Sequence, residues 1–325
     1  MTATEHSAVA RSTPVLEATA DDGPARSYHG QPVLKEPIWT WEIPVYFYTG
    51  GMAGASAGLA FGAELRGNEV LARRAWAVSL AAVAASPALL VSDLGRPARF
   101  LNMLRMIKVT SPMSVGTWML SAAGGAITFA AANAWTGRFP RAARFARPSA
   151  ALLGLPVSTY TAALIANTAV PVWHEARKML PFVFGSGAAL SAGAAAVAFT
   201  PVASAAPARR LALAGAVAEL GASEMMQKQL GEHGEPYEHG ASSRFRRVSQ
   251  ACIVAGAAVL ASRGRWSRTA AVASGALLSA GALSARWSVF KAGFQSAADP
   301  RYVVGPQRAA IRRGERPGAA RKQPR

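Results

Sequence analysis

The chain has 325 residues, of which 51% are hydrophobic and only 16% are charged, and its formal net charge is +18. Nearly all charges lie between long apolar segments and not along their faces, which argues against a soluble helical protein. The basic residues are spread over connections and tails and are not gathered in one patch, so nucleic acid is not an expected partner.

Eight apolar segments are long enough to cross a hydrocarbon core of about 30 Å, which takes about 20 helical residues. In chain order they are Ile43–Phe61, Ala75–Val91, Met113–Ala134, Ser149–Ala169, Pro181–Thr200, Pro207–Met226, Val248–Ser262 and Ala270–Ala285. Their many small residues allow close helix packing. The sequence therefore predicts an all-α, polytopic membrane protein, a bundle of eight transmembrane helices embedded in the lipid bilayer.

The tails differ from this bundle in composition. Residues 1–37 are predicted to be a disordered extension, residues 38–305 the membrane domain, and residues 306–325 a basic disordered tail. Eight spans place both termini on one side, here called the terminus face. Lysine and arginine are slightly more numerous there, which favours cytoplasmic termini in the cell membrane.

Metal ligands are missing from the apolar segments. None of the five histidines lies within one, and Cys252 is the single cysteine of the sequence. Haem iron takes axial ligands such as histidine, and an iron–sulfur cluster generally takes four protein ligands. We therefore expect no haem and no metal in this chain.

The distinctive connecting segments lie on the terminus face, which is the predicted working side because loops on a rigid scaffold often carry function. They are Trp39–Glu42, Asp93–Phe100, Val170–Lys178, Gly231–His239 and Ser296–Arg308. A partner is expected to dock on the connection between segments two and three, the Trp173 connection and residues 299–308, the last predicted to form an ordered extended strip.

Three charged residues are candidates for proton handling. Glu219 lies in the sixth segment, on the order of 10 Å below the terminus face, and an ionisable group at that depth suggests function. Its alternative is a structural partner for a buried arginine, serine or carbonyl. Asp93 and Arg96 are the other two candidates, and their alternative is a structural turn in which Arg96 and Arg99 pair with Asp93.

Four motifs together resemble the NrfD/polysulphide reductase membrane-anchor family. They are Trp41…Tyr46…Gly50-Gly51…Gly54, Asp93-x-Gly-Arg-Pro-x-Arg-Phe100, Ser111-Pro-Met-Ser-x-Gly-x-Trp118, and Tyr160-Thr161 followed by Thr168-x-Val-Pro171-x-Trp173. The resemblance covers about residues 38–305. One departure is Ala162, where the family commonly has glycine, and this methyl group would tighten a neighbouring pocket.

The resemblance implies an eight-helix subunit that binds quinone, with menaquinone as the expected species, beside an iron–sulfur partner. That partner would be a ferredoxin-like subunit with four clusters, docked in turn on a molybdopterin catalytic subunit. The chain would exchange electrons with its partner and would not be catalytic alone. Some family members also couple the reaction to proton movement.

For the quinone headgroup we predict a pocket between the start of the first segment and the ends of the second and fourth. Tyr160 is the predicted hydrogen-bond donor, and Trp41, Tyr46 and Tyr48 are the predicted aromatic walls. Alternatively, Tyr160 packs between helices with its hydroxyl on a backbone carbonyl. Two other functions stay open: a transporter or proton channel that uses Glu219 and Asp93, and an inert anchor for a partner.

Overall fold

The computed structural model describes residues 33–312 and residue 314, and within these residues helices and turns are present without any β-strand. Eleven α-helices follow one another in this part of the chain. They are α1 (Glu42–Glu64), α2 (Glu69–Asp93), α3 (Phe100–Arg105), α4 (Pro112–Thr136), α5 (Pro140–Ala166), α6 (Pro171–Glu175), α7 (Leu180–Phe199), α8 (Ala206–Leu230), α9 (Gly240–Ser262), α10 (Arg268–Ala298) and α11 (Arg301–Arg312).

The ends of the long helices follow from local hydrogen bonding. The side chains of Asn68, Ser111 and Ser267 accept hydrogen bonds from backbone N–H groups in the first turns of α2, α4 and α10, at 3.1, 3.5 and 3.3 Å. Such caps satisfy donors that have no partner inside the helix. Gly137 ends α4 with a φ of 69°, a left-handed conformation that glycine adopts without steric cost.

Eight long helices match the eight apolar segments in position, but only part of the membrane prediction is supported. Among the described residues, α2, α4, α5 and α7 are long and apolar enough to cross a membrane. The remaining long helices, α1, α8, α9 and α10, are equally long but less apolar, and the last three contain internal charges. Their membrane crossing stays a prediction.

Several helices extend beyond the apolar segments from which they were predicted. Helix α5 begins at Pro140 and not Ser149, α9 begins at Gly240 and not Val248, and α10 ends at Ala298 and not Ala285. The added turns contain arginine and lysine, which favour helix although they lower hydropathy. Apolar length alone therefore underestimated these helices.

The bundle consists of two halves that meet along α1 and α7. Helices α1, α2, α4 and α5 form the first half, and α7 to α10 form the second. Consecutive long helices pair as hairpins, while α1 packs against α5, α7 and α10. The α1–α5 contact is close because a Cβ on Gly54 would overlap the carbonyl oxygen of Gly154.

Bulky side chains concentrate at the terminus face, whereas alanine dominates much of the remaining core. Phe47, Trp173 and Phe184 are almost fully buried in the core cluster at that end. The Trp173 indole donates a hydrogen bond to the Val289 carbonyl oxygen at 2.8 Å. Large side chains hold the helices apart where small ones would let them close, so the terminus end offers more room between helices.

The prediction of an extended strip after α10 is wrong, because this segment is helical. It forms α11, whose first turn is set by Asp299, because Asp299 Oδ1 accepts a hydrogen bond from the Arg301 N–H at 2.9 Å. Pro300 precedes the helix, and proline is well tolerated near a helix start. Helix α11 also includes the beginning of the predicted disordered tail, while the predicted N-terminal extension lies mostly outside the described residues.

Candidate functional site

The main candidate site is a cavity of about 310 Å³ at the terminus end of the first half. It lies between α1, α2, α4 and α5, with α3 beside its mouth. Side chains that line its outer part include Trp39, Ile43, Tyr46, Asp93, Phe100 and Tyr160. Its location agrees with the pocket predicted between the start of the first segment and the ends of the second and fourth.

The cavity continues as a narrow slot between α2 and α4. Its lining on α4 extends from Met113 to Thr128, a rise of about 22 Å along the helix axis. Gly124 and Gly125 line the α4 side, and Gly125 is exposed. The slot is therefore long, mainly apolar and open toward the outer surface of the bundle.

Tyr160 lines the cavity, but its hydroxyl already has a partner. The hydroxyl donates a hydrogen bond to the Pro112 carbonyl oxygen at 2.8 Å. The ring lies so close to α4 that a Cβ on Gly116 would overlap it. This geometry matches the alternative in which Tyr160 packs between helices, although the oxygen can still accept a hydrogen bond from a ligand.

Tyr46 offers the cavity a hydroxyl without a protein partner. Its side chain is only 3% exposed and lines the cavity wall. Its ring packs over Gly50, where a Cβ would lie 3.3 Å from Tyr46 Cε2. Because no hydrogen bond of the described residues uses the Tyr46 hydroxyl, a ligand can receive this donor without competition.

Asp93 stands at the mouth and connects α2 to the start of α1. Its Oδ1 accepts hydrogen bonds from the Thr40 N–H at 3.2 Å and the Thr40 hydroxyl at 2.9 Å. Within the described residues neither Arg96 nor Arg99 forms the ion pair with Asp93 that the alternative structural turn requires, and Arg96 does not line the cavity. Gly95, with a φ of 63°, turns the chain after α2.

Two of the predicted aromatic walls lie elsewhere. Trp41 is 57% exposed, and Tyr48 packs with the core cluster of the second half. Trp39 lines the cavity and stacks on Trp173 with ring centroids 5.7 Å apart. The sequence singled out Trp39 and Trp41 together, but neither lies within an apolar segment whose periodicity would identify the inward side chain.

Ala162, the departure from the family pattern, is fully buried and does not line the cavity. Its methyl group therefore packs in the core of the terminus end. The expectation that Ala162 tightens a neighbouring pocket does not apply to this cavity.

Glu219 lies in the second half, away from this cavity. Helix α8 continues to Leu230 and not Met226, so Glu219 lies about 16 Å from the helix end. Its carboxylate faces the Arg286 guanidinium at 3.9 Å, and the two side chains are 1% and 2% exposed. Gly187 provides the space, because a Cβ there would overlap both side chains.

Arg286 was missed from the sequence because its charge was taken to end the eighth apolar segment. It also donates to the Phe184 carbonyl oxygen at 3.1 Å, which fixes it against α7. An arginine directly after an apolar segment, with a glutamate inside another, is a signal that such a pair forms. The predicted alternative of a buried arginine partner is thus present in the geometry.

The described part of the chain contains no group of three histidine, cysteine, aspartate or glutamate side chains suited to a metal ion. The candidate site consequently rests on the cavity and its tyrosine, tryptophan and aspartate side chains.

Comparison with known proteins identifies the family. The sequence profile described as "Polysulphide reductase, NrfD" matches residues 28–228. This range contains all four motifs, every residue that lines the cavity, and Glu219, whereas α9 to α11 lie beyond it. No curated protein matches the chain.

NrfD proteins are membrane subunits of molybdoenzyme complexes, and they typically pair with iron–sulfur and molybdopterin subunits. The apolar helices α2, α4, α5 and α7 agree with a multi-pass location in a lipid bilayer. Because the match covers more than half of the sequence and includes the motifs that suggested it, the chain belongs to the NrfD (polysulphide reductase) family.

Proposed function

We propose that this chain is the quinone-reacting membrane subunit of a molybdoenzyme complex and that all eight long helices cross the membrane. Electrons would pass between quinone and a four-cluster, ferredoxin-like iron–sulfur subunit on the terminus face, and from there to or from a molybdopterin subunit. The observation that carries this proposal is the cavity with its slot, which combines polar groups at the mouth with a long apolar extension.

The shape of the cavity suits a ring with an isoprenoid tail. A ligand site of this kind needs apolar walls and a few polar groups that fix its orientation. The headgroup would lie among Trp39, Tyr46 and Tyr160, and the tail along the slot toward Thr128. Because the slot is open beside Gly125, a quinone can enter from the bilayer without crossing the terminus face.

The side chains around the headgroup match the chemistry of a quinone. Reduction to quinol takes two electrons and two protons, and oxidation releases them. The Tyr46 hydroxyl donates to one quinone carbonyl oxygen, and the Asp93 carboxylate at the mouth exchanges protons with the terminus side. Thr40 holds Asp93 Oδ1 in place during this exchange. Menaquinone remains the expected species.

The two cavity tyrosines provide a matched test of the headgroup site. Each substitution by phenylalanine keeps the ring and removes only the hydroxyl. Loss of one neutral hydrogen bond costs about 0.5–1.5 kcal/mol, a several-fold change in equilibrium. We expect Tyr46→Phe to raise the apparent KM for quinone, or lower turnover, by this amount in the assembled complex.

Tyr160→Phe tests the original donor assignment under the same conditions. An equal loss in Tyr160→Phe would show that its hydroxyl leaves Pro112 for the quinone. Unchanged kinetics in Tyr160→Phe with a loss in Tyr46→Phe would assign the donor to Tyr46. Unchanged kinetics in both variants would place the headgroup elsewhere.

A second experiment tests the slot independently of the tyrosines. A Cβ on Gly125 meets no atom within 4 Å, so Gly125→Leu can fill the slot without disturbing the bundle. Gly62→Leu is the matched control, because Gly62 has the same open surroundings and does not line the cavity. We expect Gly125→Leu to lose co-purified quinone and quinone turnover while retaining the iron–sulfur partner.

The alternative functions give other results. An inert anchor would retain the partner and show the same turnover in the Gly125→Leu and Gly62→Leu complexes. A proton channel or transporter would contain no quinone in its native form, and proton flux in liposomes would fall in Glu219→Gln and Asp93→Asn. Either result would contradict the proposed quinone site.

A further inference from the structure

A second, smaller cavity lies in the second half, beneath the terminus face. Its volume is about 40 Å³, and it is enclosed by α8, α9, α10 and the turn that ends at Tyr237. Its inner end contains Glu219, and its outer part contains Gln227, Tyr237 and Arg246. It shares no lining residue with the large cavity of the first half.

Four buried polar atoms around this cavity have no hydrogen-bond partner in the protein. They are both carboxylate oxygens of Glu219, the hydroxyl oxygen of Tyr237 and the Nε of Arg246. Buried polar atoms are almost always hydrogen bonded, either to protein or to ordered water. A group of four at one small cavity therefore requires a shared explanation.

The neighbouring protein groups do not supply the missing hydrogen bonds. Arg286 approaches Glu219 only to 3.9 Å and directs its N–H groups to the backbone carbonyls of Val183 and Phe184. Arg246 donates to Gln227 Oε1 at 2.7 Å through NH1, which leaves its Nε unused. Burial raises the pKa of Tyr237, so its hydroxyl keeps its proton and remains a donor.

The remaining walls combine apolar side chains with four further polar residues. Ser223, Ser249, Gln250 and Ser288 line the same space. A cavity lined by apolar groups stays dry, whereas a cavity with several polar partners holds water when it offers about 10–15 Å³ for each molecule. With about 40 Å³, this cavity has room for a small cluster.

We propose that this cavity is an internal water site whose molecules hydrogen bond to Glu219, Tyr237 and Arg246 and join Glu219 to the terminus face. The water supplies the acceptors and donors that the protein does not provide. Glu219 can then exchange a proton with this water, since a hydronium ion that gives a proton to the carboxylate leaves neutral water behind. This site serves the second half and does not depend on quinone binding.

Radiolytic labelling tests the proposal directly, because hydroxyl radicals formed from bound water oxidise the adjacent side chains. Met226 and Tyr237 both line the cavity and are each only 2% exposed. Met179, at 9% exposed, lies outside it and serves as the internal reference. In the complete chain in lipid nanodiscs, we expect Met226 and Tyr237 to be oxidised several-fold faster than Met179.

A cavity-filling variant and a matched control complete the test. Ser223→Leu fills the cavity from α8, and Ala218→Leu adds the same side chain at an exposed position of that helix. Oxidation of Met226 and Tyr237 should fall to the Met179 rate in Ser223→Leu and stay at the native rate in Ala218→Leu. If Ser223→Leu does not accumulate, Ser223→Val replaces it. Oxidation no faster than at Met179 in the native chain, or unchanged in a folded filling variant, would overturn the proposal.

Discussion

At the scale of single residues, Glu219 on α8 and Arg286 on α10 compensate each other's buried charge. Both side chains are almost fully buried, and their separation of 3.9 Å leaves the Glu219 oxygens without a direct hydrogen bond. A buried pair contributes little net stability, whereas removal of one partner leaves an uncompensated charge. Each of the two side chains therefore needs the other to compensate its buried charge. This structural dependence is separate from any proton-handling role of Glu219.

Arg286→Met should destabilise the protein by about 3–5 kcal/mol, because it leaves the Glu219 carboxylate without its counter-charge. We expect lower membrane accumulation and a lower Tm for the purified chain. The double variant Glu219→Gln/Arg286→Met should recover most of the loss. Equal destabilisation in the single and double variants would mean that Arg286 acts through packing on Phe184 and not through charge.

Glu219→Gln separates a proton-handling role from a structural one. It keeps the side-chain shape and removes the charge, so a proton-handling role requires slower quinone turnover in a normally assembled complex. Unchanged turnover with lost membrane accumulation would assign Glu219 a structural role alone. The assay is quinone turnover normalised to the amount of assembled complex.

At the scale of helices, the crossing of α1 and α5 depends on glycine at one position of α1. A Cβ on Gly54 would overlap the Gly154 carbonyl oxygen and approach Ser158 Oγ to 2.7 Å, whereas a Cβ on Gly58 meets nothing within 4 Å. Gly54→Ala should therefore cost about 1–3 kcal/mol by overpacking. Gly58→Ala, one turn away, should be close to neutral, and thermal unfolding of both purified variants provides the comparison. Equal Tm values would show that α5 moves freely away from α1.

Helix α11 is held in place by hydrogen bonds and ion pairs to carboxyl groups, whose ionisation depends on pH. Its Tyr302 hydroxyl donates to Glu235 at 3.0 Å, and the hydrogen bond from Arg301 lowers the pKa of Asp299. A carboxyl with a lowered folded pKa contributes stability above its unfolded pKa, about 3.9, and loses it as the pH falls through the folded value.

Asp299→Asn should thus speed amide hydrogen exchange in α11 at about pH 7, where the native carboxyl is charged. The difference from the native chain should shrink as the pH falls below the ordinary aspartate pKa of about 3.9 and through the lowered pKa of Asp299, because the native carboxyl loses its charge there. A difference that persists unchanged at the lower pH would attribute the effect to the side-chain cap on Arg301 N–H and not to charge.

At the scale of the whole molecule, α11 and the Trp173 connection give the terminus face a continuous surface. A groove of about 400 Å³ runs between α11 and α6, lined by His174, Glu175 and Tyr302 among others. We expect the iron–sulfur partner to dock here, as predicted from the sequence. The helical form of α11 makes it a discrete element that can be removed.

Truncation after Ala298 removes α11 and should release the iron–sulfur partner, because the groove then loses one wall. Truncation after Arg313 keeps α11 and should retain the partner. The measurement is co-purification of the partner at equal amounts of membrane chain. Equal retention in both truncations would show that the partner docks elsewhere than on α11.

Much of this organisation was predictable from local sequence. The apolar segments located the eight long helices because a long helix that packs into a bundle carries an extended run of apolar residues. The motifs around Asp93, Ser111 and Tyr160 indicated the family, which the profile match confirms. They also located the large cavity, since these motifs lie at helix ends that face the same side of the bundle.

The tertiary structure decided which side chains meet. Tyr46 and Tyr48 are two residues apart and point about 200° apart around α1, so only the positions of α4 and α7 determine which one faces the cavity. Tyr160 meets the Pro112 carbonyl, Asp93 meets Thr40, and Glu219 meets Arg286, all across long stretches of sequence. Apolar length and helix propensity are local properties of the chain, whereas these contacts depend on how helices pack, and no local pattern encodes that arrangement.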